Sequence, residues 1–326
     1  MKKILVSIAI MMILLFVAFE ILTESESILN SVIFSFSIWE NNIFPSLFPF
    51  FVLSELLVCY GFVELLSELL KPIMNKVFKI NSNAAFVFVM SMISGFPSNA
   101  KYTRELYQKG LLNAEEASKV LTFSHFSNPL FILGTISVTF LKNIEAGIFV
   151  LIIHYISNII IGLLFRSYYI SKKEDTKVSF KKAILNMHDK RLKNTQTFGQ
   201  TITSAILNSI HTLLLILGTV TMFLIVTTII DNTLNLNTYY QSILNGFIEM
   251  TQGLKYVSQL AIPLKLKSII TVMILSFGGL SVHMQVISIL SDTKIKYLPF
   301  FTARILHSAI AGILIYLLFD GWMSFI

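Results

Sequence analysis

Long apolar stretches separated by short polar ones run along nearly the whole chain, and their lengths sort them into spanning and non-spanning pieces. Met1-Lys2-Lys3 opens on an apolar run from Ile4 to Leu22, long enough at roughly 1.5 Å per residue to cross about 30 Å of hydrocarbon. No small-x-small cleavage site precedes the acids Glu20, Glu24 and Glu26, so the run reads as an uncleaved first helix with its N-terminus inside. The next stretch, Ile28 to Phe62, is interrupted by Trp39-Glu40-Asn41-Asn42 and by Pro45 and Pro49, which predicts a long, bent helix. From Val63 to Ile80, apolar positions interleave at helical spacing with Glu64, Glu68, Lys71, Asn75, Lys76 and Lys79. That pattern predicts an amphipathic helix at the membrane interface.

Ala84 to Ile93 is apolar but only about ten residues long and ends in Ser94-Gly95-Phe96-Pro97-Ser98-Asn99-Ala100-Lys101. Too short to span, it predicts a re-entrant helix, with Tyr102 to Lys109 climbing back to the same side and Gly110 closing it. Asn113-Ala114-Glu115-Glu116 starts a long helix to Leu141 that carries Phe123-Ser124-His125-Phe126-Ser127-Asn128-Pro129 at membrane depth, and Ile144 to Phe165 is a plain span. In the second half Thr203 to Ile230 spans, Asn245 to Leu260 is amphipathic with Glu249 and Lys255, and Ser268 to Leu275 is short and apolar. It ends in Ser276-Phe277-Gly278-Gly279-Leu280-Ser281-Val282-His283, Met284 to Leu290 returns, and Tyr297 to Phe319 spans with Arg304 and His307 inside it.

The two tips occupy matching places in halves that enter the membrane from opposite sides, the signature of an inverted repeat. The expected architecture is an all-α polytopic membrane protein with about six spanning helices, two re-entrant hairpins and two interfacial helices. It divides into an N-terminal helix (1–27), a first repeat (28–165), a basic loop (166–198) and a second, inverted repeat (199–326).

Composition agrees. Of 326 residues 55% are hydrophobic and 13% charged, with 28 Phe and a mean hydropathy of +0.75, against about 25% charged in a soluble domain. The net charge of +7 concentrates in one place: Arg166, Lys172, Lys173, Lys177, Lys181, Lys182, Lys190, Arg191 and Lys193 face only Glu174, Asp175 and Asp189. Without interleaved aromatics this is a solvated cytoplasmic loop rather than a nucleic-acid surface. Counting crossings puts that loop inside, with 18 Lys/Arg inside and 6 outside (Lys142, Lys255, Lys265, Lys267, Lys294, Lys296). The single Cys59 excludes an internal disulfide framework and a cysteine metal cluster.

Irregular backbone at membrane depth costs several kcal/mol per unsatisfied group unless it lines a cavity or is buried in protein. Two such tips near the midplane therefore point to a solute site, and helix N-termini at the tips suit an anion. The candidate substrate-binding residues are Ser94, Gly95, Pro97, Ser98, Asn99, Lys101, Ser127, Asn128, Gly278, Gly279, Ser281, His283 and Arg304. Arg104 would add to the cationic character, and Glu249 and His307 are candidates for a coupling ion or proton, with Glu55 a proton site if buried. No nucleophile elbow, His-Glu-x-x-His or metal-spaced carboxylate cluster occurs, so neither an enzyme nor a metal or other cofactor is expected.

Four motifs, Pro45–Leu57, Ser94–Leu106, Phe123–Gly134 and Gly279–Val286, together resemble the sporulation integral membrane protein YlbJ family, within the nucleoside-recognition (Gate) domain proteins. The layout is also similar to the concentrative nucleoside transporters, in architecture alone. The resemblance implies a multi-pass protein of a bacterial cell membrane, the outer forespore membrane, that transports dipicolinic acid during endospore formation. The implied partners are a small anionic metabolite and the lipid bilayer, with no nucleic acid, and a homo-oligomer is left open. A nucleoside transporter and a non-transporting scaffold of the spore envelope are the alternatives. His125 and Ser98-Asn99 depart from the family pattern at the tip and bear on substrate identity.

Overall fold

A computed structural model describes residues 2–172, 177–234 and 236–325. Lys173, Glu174 and Asp175 of the basic loop lie outside the described residues. The described chain is all-α: no strand occurs among these residues. Six helices are long and apolar enough to cross a membrane, so the chain is a polytopic membrane protein in contact with the bilayer.

The first helix, α1 (Lys2–Thr23), leads into α2 (Ser25–Ile38) and α3 (Phe44–Cys59), which form one bent element through a wide π-type turn at Trp39–Ile43. The turn falls where the sequence places its polar interruption and Pro45, because proline removes a helical donor and the chain widens around the orphaned carbonyl. The amphipathic α4 (Phe62–Pro72) follows as expected. Then α5 (Ala84–Ser94) and α6 (Ser98–Gln108) pack against each other as a hairpin turning at Gly95-Phe96-Pro97.

Helix α7 (Ala114–Phe123) starts on a capping box between Asn113 and Glu116, stops at Ser124–Asn128 and resumes as the π-type helix Phe131–Leu141. What the pattern predicts as one long helix is thus broken at its polar centre. Ile144–Leu164 is α8. The basic loop is more than a linker, since it contains α9 (Phe180–Leu192), which seats on α4. At that contact Gly61 approaches the Met187 backbone so closely that a Cβ would lie 2.5 Å from its carbonyl oxygen.

The second half departs from expectation in register. After α10 (Phe198–Leu234), the stretch Asn245–Leu260 is not an interfacial helix. It belongs to a helical hairpin, α11 (Thr238–Ile248) and α12 (Met250–Gln259), that breaks at Glu249 in extended conformation. Conversely, α13 (Leu264–Phe277) and α14 (Gly279–Leu290) are not a re-entrant hairpin: they run end to end as one crossing of 27 residues bent at Gly278. The glycine pair that reads as a tight tip carries two successive left-handed residues (φ 90° and 70°), which kink the chain and then let the helix resume onward. The true hairpin turns without a glycine at its turn; its glycines, Gly246 and Gly253, sit where the arms cross, and a Cβ on Gly253 would collide with the Gly246 backbone.

The final helix, α15 (Leu298–Phe325), reverses direction as a consequence. Lys265 at the start of α13 pairs with Asp320 at 2.5 Å, and the Trp322 indole donates to the Glu145 carbonyl, so the end of α15 shares a face with the start of α8. On the opposite face, Asp292 pairs with Arg104, Lys296 N–H donates to Ser118 Oγ at 2.8 Å, and Lys119 Nζ donates to the carbonyls of Lys79, Arg166 and Tyr169. Lys294 and Lys296 therefore lie on the basic-loop face, not opposite it. Among the described residues, four Lys/Arg (Lys142, Lys255, Lys265, Lys267) then fall to the other side, Arg304 is internal, and the rest lie on the basic-loop face or the polar elements leading to it. The corrected count sharpens the charge asymmetry on which orientation rests.

With this register the halves match piece for piece: hairpin α5–α6 with hairpin α11–α12, broken α7 with bent α13–α14, and α8 with α15. Two apolar cores, one around α5–α7 and one around α8, α13 and α15, hold them.

Candidate functional site

Both helix breaks are buried at the centre of the molecule, and most of the polar residues singled out from the sequence serve to satisfy them. In the first half, Asn128 Nδ2 donates to the carbonyls of Ser46 and Ser94, each at 3.2 Å, and its Oδ1 accepts from Leu130 N–H at 2.7 Å. Gly95 must be glycine on two counts: its φ is 78°, and a Cβ would stand 2.5 Å from Asn128 N. Ser94 and Ser98 bond to each other at 2.7 Å, and Tyr102 joins Ser54 to Ser94.

The carbonyls freed at 122–125 are gathered from α8 and α15. Arg304 donates to the Thr122 and His125 carbonyls and to Asn158 Oδ1, while Asn158 Nδ2 donates to the Phe123 and His125 carbonyls. His307 accepts from Arg304 at Nδ1 (2.8 Å), so its Nε2–H donates to the His154 carbonyl at 3.0 Å. His154 Nε2 accepts from Ser127 N–H at 2.9 Å, which directs its Nδ1–H to Ser276 Oγ, also at 2.9 Å. One imidazole thereby ties the first break to the second. His283 Nε2–H donates to the Phe277 carbonyl and its Nδ1 accepts from Tyr297. Arg304, His307 and His283 are thus braces of broken backbone, and none of them lines the central cavity.

The second break meets the hairpin tip. A Cβ on Gly279 would lie 3.0 Å from Met250 N and 3.3 Å from the Ile248 carbonyl. Glu249, 1% exposed, caps α12 by accepting from Gln252 N–H at 2.9 Å, and also accepts from Thr251 and, at 3.4 Å, Ser281. No ion pair to it occurs among the described residues.

Between the two tips lies a cavity of about 50 Å³ lined by Phe96, Pro97, Ser127, Asn128, Glu249, Thr251 and Gln285, with Leu47, Ile216 and Val220 closing one wall. It is room for one or two waters. A far larger space of about 710 Å³ opens toward the basic-loop face, lined by Glu55, Lys101, Arg104, Glu105, Asn208, His211 and Asp292. The same four helices line both: Leu47, then Glu55 on α3; Pro97, then Lys101 on α6; Val220, then Thr212 on α10; Gln285, then Ser288 on α14. Between them stand Phe51, fully buried, and Lys101, whose Nζ lies 4.9 Å above the Phe51 ring and 2.9 Å from Glu55.

Of the expected site residues, the structure gathers Pro97, Ser127, Asn128 and Glu249 on the cavity, with Ser94, Gly95, Ser98, Gly279 and Ser281 directly behind them; Gly278 forms the bend in α14's lead. Lys101 sits in the vestibule, paired. Asn99 is buried beside the tip with neither amide atom hydrogen-bonded. His125 also has both ring nitrogens without a partner, stacked 4.7 Å from Phe96 and edge-on to Phe300 at 5.0 Å. Gln285 was missed, although it lies one turn past Ser281 on the same face of α14, a spacing visible in the sequence.

Compared with known proteins, the chain is 35% identical over 308 residues, covering 86% of this chain and 75% of the other, to the sporulation integral membrane protein YlbJ of Bacillus subtilis strain 168. No family model matches it. No solved structure does either. That identity over most of both chains places it plainly: the chain belongs to the YlbJ family of sporulation integral membrane proteins.

Proposed function

We propose that this protein is a transporter of small organic anions in the membrane of a sporulating cell, with dipicolinic acid as the substrate and the outer forespore membrane as its place. The observation that carries the reading is the meeting of two helix breaks, one from each half, on a small cavity, with a larger vestibule further along the same helices on one face. Broken backbone held at membrane depth by this many buried donors is costly to build, and lining a solute path gives it a use. The vestibule is charge-balanced, with Lys101, Arg104 and Lys109 each paired to an acid, Glu55, Asp292 and Glu105, a polar mouth whose donors an anion can share, while no cation lines the inner cavity. A scaffold would need neither a shaft nor a pair of breaks.

The test is uptake of radiolabelled dipicolinate, with a nucleoside as comparison, into proteoliposomes holding the purified chain. Saturable dipicolinate uptake, competed by other dicarboxylates, is expected. Nucleoside uptake alone would redirect the assignment, and flux of neither by folded protein would leave the scaffold role.

A further inference from the structure

Glu249 and Gln285 line the same small cavity between the two helix breaks. Glu249 already fulfils its capping duty through Oε2 and the backbone N–H groups of Thr251 and Gln252, while Oε1 takes a long contact from Ser281. Gln285 is 2% exposed and makes no hydrogen bond to any described residue, so its amide ends in the cavity with both its donors and its acceptor free. An amide that lines a cavity and has no protein partner is open to a bound water or ligand.

No fixed charge faces the Glu249 carboxylate from the elements packed around it. On α10, Asp231 is held by Asn245 and Tyr256. On α12, Lys255 lies over the Phe34 ring, 4.1 Å from its centre. On α13, Lys265 and Lys267 are engaged by Asp320 and the Ser258 carbonyl. On α14, His283 is turned to Phe277 and Tyr297, and the segment Phe131–Leu141 carries no titratable group. His125 and His154, from the first half, are stacked against Phe96 or bonded to Ser127 and Ser276.

An anionic substrate entering this cavity would meet an uncompensated carboxylate, a repulsion that the low-dielectric surroundings amplify. We infer that Glu249 carries a proton into the cavity together with the organic anion, donating a hydrogen bond from its protonated form to the substrate carboxylate while the Gln285 amide binds the same carboxylate from α14. The inference rests on the transport reading and adds its coupling: anion and proton move in one direction, the proton arriving first. Gln285 is then the residue that selects a carboxylate, and Glu249 the one that makes its binding conditional on a proton.

The experiment imposes a pH gradient across the proteoliposomes and follows radiolabelled dipicolinate. With the loading side acidic, the wild type should accumulate label above equilibrium. Glu249→Gln, frozen in a neutral hydrogen-bonding form, should lose that accumulation and show only slower downhill flux without pH dependence, whereas Glu249→Asp should restore gradient-driven accumulation. Gln285→Leu should raise the KM about tenfold, the loss of one buried hydrogen bond, with the response to the gradient retained. Wild-type flux indifferent to the gradient, or gradient-driven accumulation by Glu249→Gln, would overturn the inference and leave transport standing. No wild-type dipicolinate flux at all would overturn the transport reading, and this inference with it.

Discussion

Arg304 shows how a residue legible in kind can take partners the sequence does not name. An arginine in a spanning helix announces function by default, and the sequence offers an anion as its partner. The structure gives it four acceptors instead, three of them belonging to the break after α7 and its α8 support and the fourth His307 on its own helix. Arg304→Ala should therefore lower stability by roughly 2–4 kcal/mol, since buried carbonyls lose their donors, read as a fall in the thermal midpoint of the detergent-solubilised protein. Arg304→Lys should recover little of it, because an ammonium lacks the planar fork. Unchanged stability with transport abolished would instead mean direct substrate contact. The omission has a physical cause: spacing shows which turn a side chain occupies, but not that the helix opposite has come undone and needs donors.

A residue outside the membrane gives a pH signature. Arg104 donates to Asp292 through two nitrogens, at 2.9 and 2.6 Å, and holds that carboxyl below its usual range. A depressed acid stabilises the fold above its unfolded value, near 3.9, and loses that contribution as pH falls through the lower folded value. The thermal midpoint of the wild type should exceed that of Asp292→Asn at neutral pH, with the gap closing in acid; being exposed, the pair should give a small gap that salt narrows further.

Among the elements, the first hairpin was legible and the second was not. Ala84–Ser94 is too short to cross and ends in a tip rich in Gly, Pro and Ser, so length and punctuation agree. In the second half they disagree. Gly278-Gly279 punctuates a helix that continues, and the hairpin turn at Glu249 is marked by no breaker at all. What distinguishes the two is contact between arms, carried by Gly246 and Gly253 seven residues apart across the turn, a long-range pairing that local pattern does not encode. Gly253→Leu should force the arms apart, lower the thermal midpoint and open the Glu249 tip to hydrophilic reagents. Gly199→Leu, where a Cβ meets nothing within 4 Å, should leave both readouts near wild type.

At the scale of the whole molecule, the corrected register reverses the last helix. Its end shares a face with Lys142 and Glu145 and lies opposite the basic loop, while the loop after α14 joins the α6 end through Arg104 and Asp292. In a Cys59→Ala background, cysteines placed at Gln196 and Ser324, both exposed, should react with a membrane-impermeant thiol reagent from opposite sides of sealed vesicles. Same-side reaction would restore a re-entrant 264–290 segment. The all-α, polytopic character came from hydropathy alone. The way the halves interlock did not, because it depends on which polar groups find each other in the interior.

The first helix stands apart from this interlocking. None of its most apolar window is buried against the rest of the protein, and it packs mainly on the edges of α2 and α10. Within one copy of the chain, nearly all of α1 is free of the other elements, so its overall hydropathy and length matter there more than any particular side chain. Such a segment is free to drift: shuffling the order of its apolar residues, or replacing it with an unrelated spanning helix, should yield protein that inserts and folds as before, and related chains are expected to diverge fastest there.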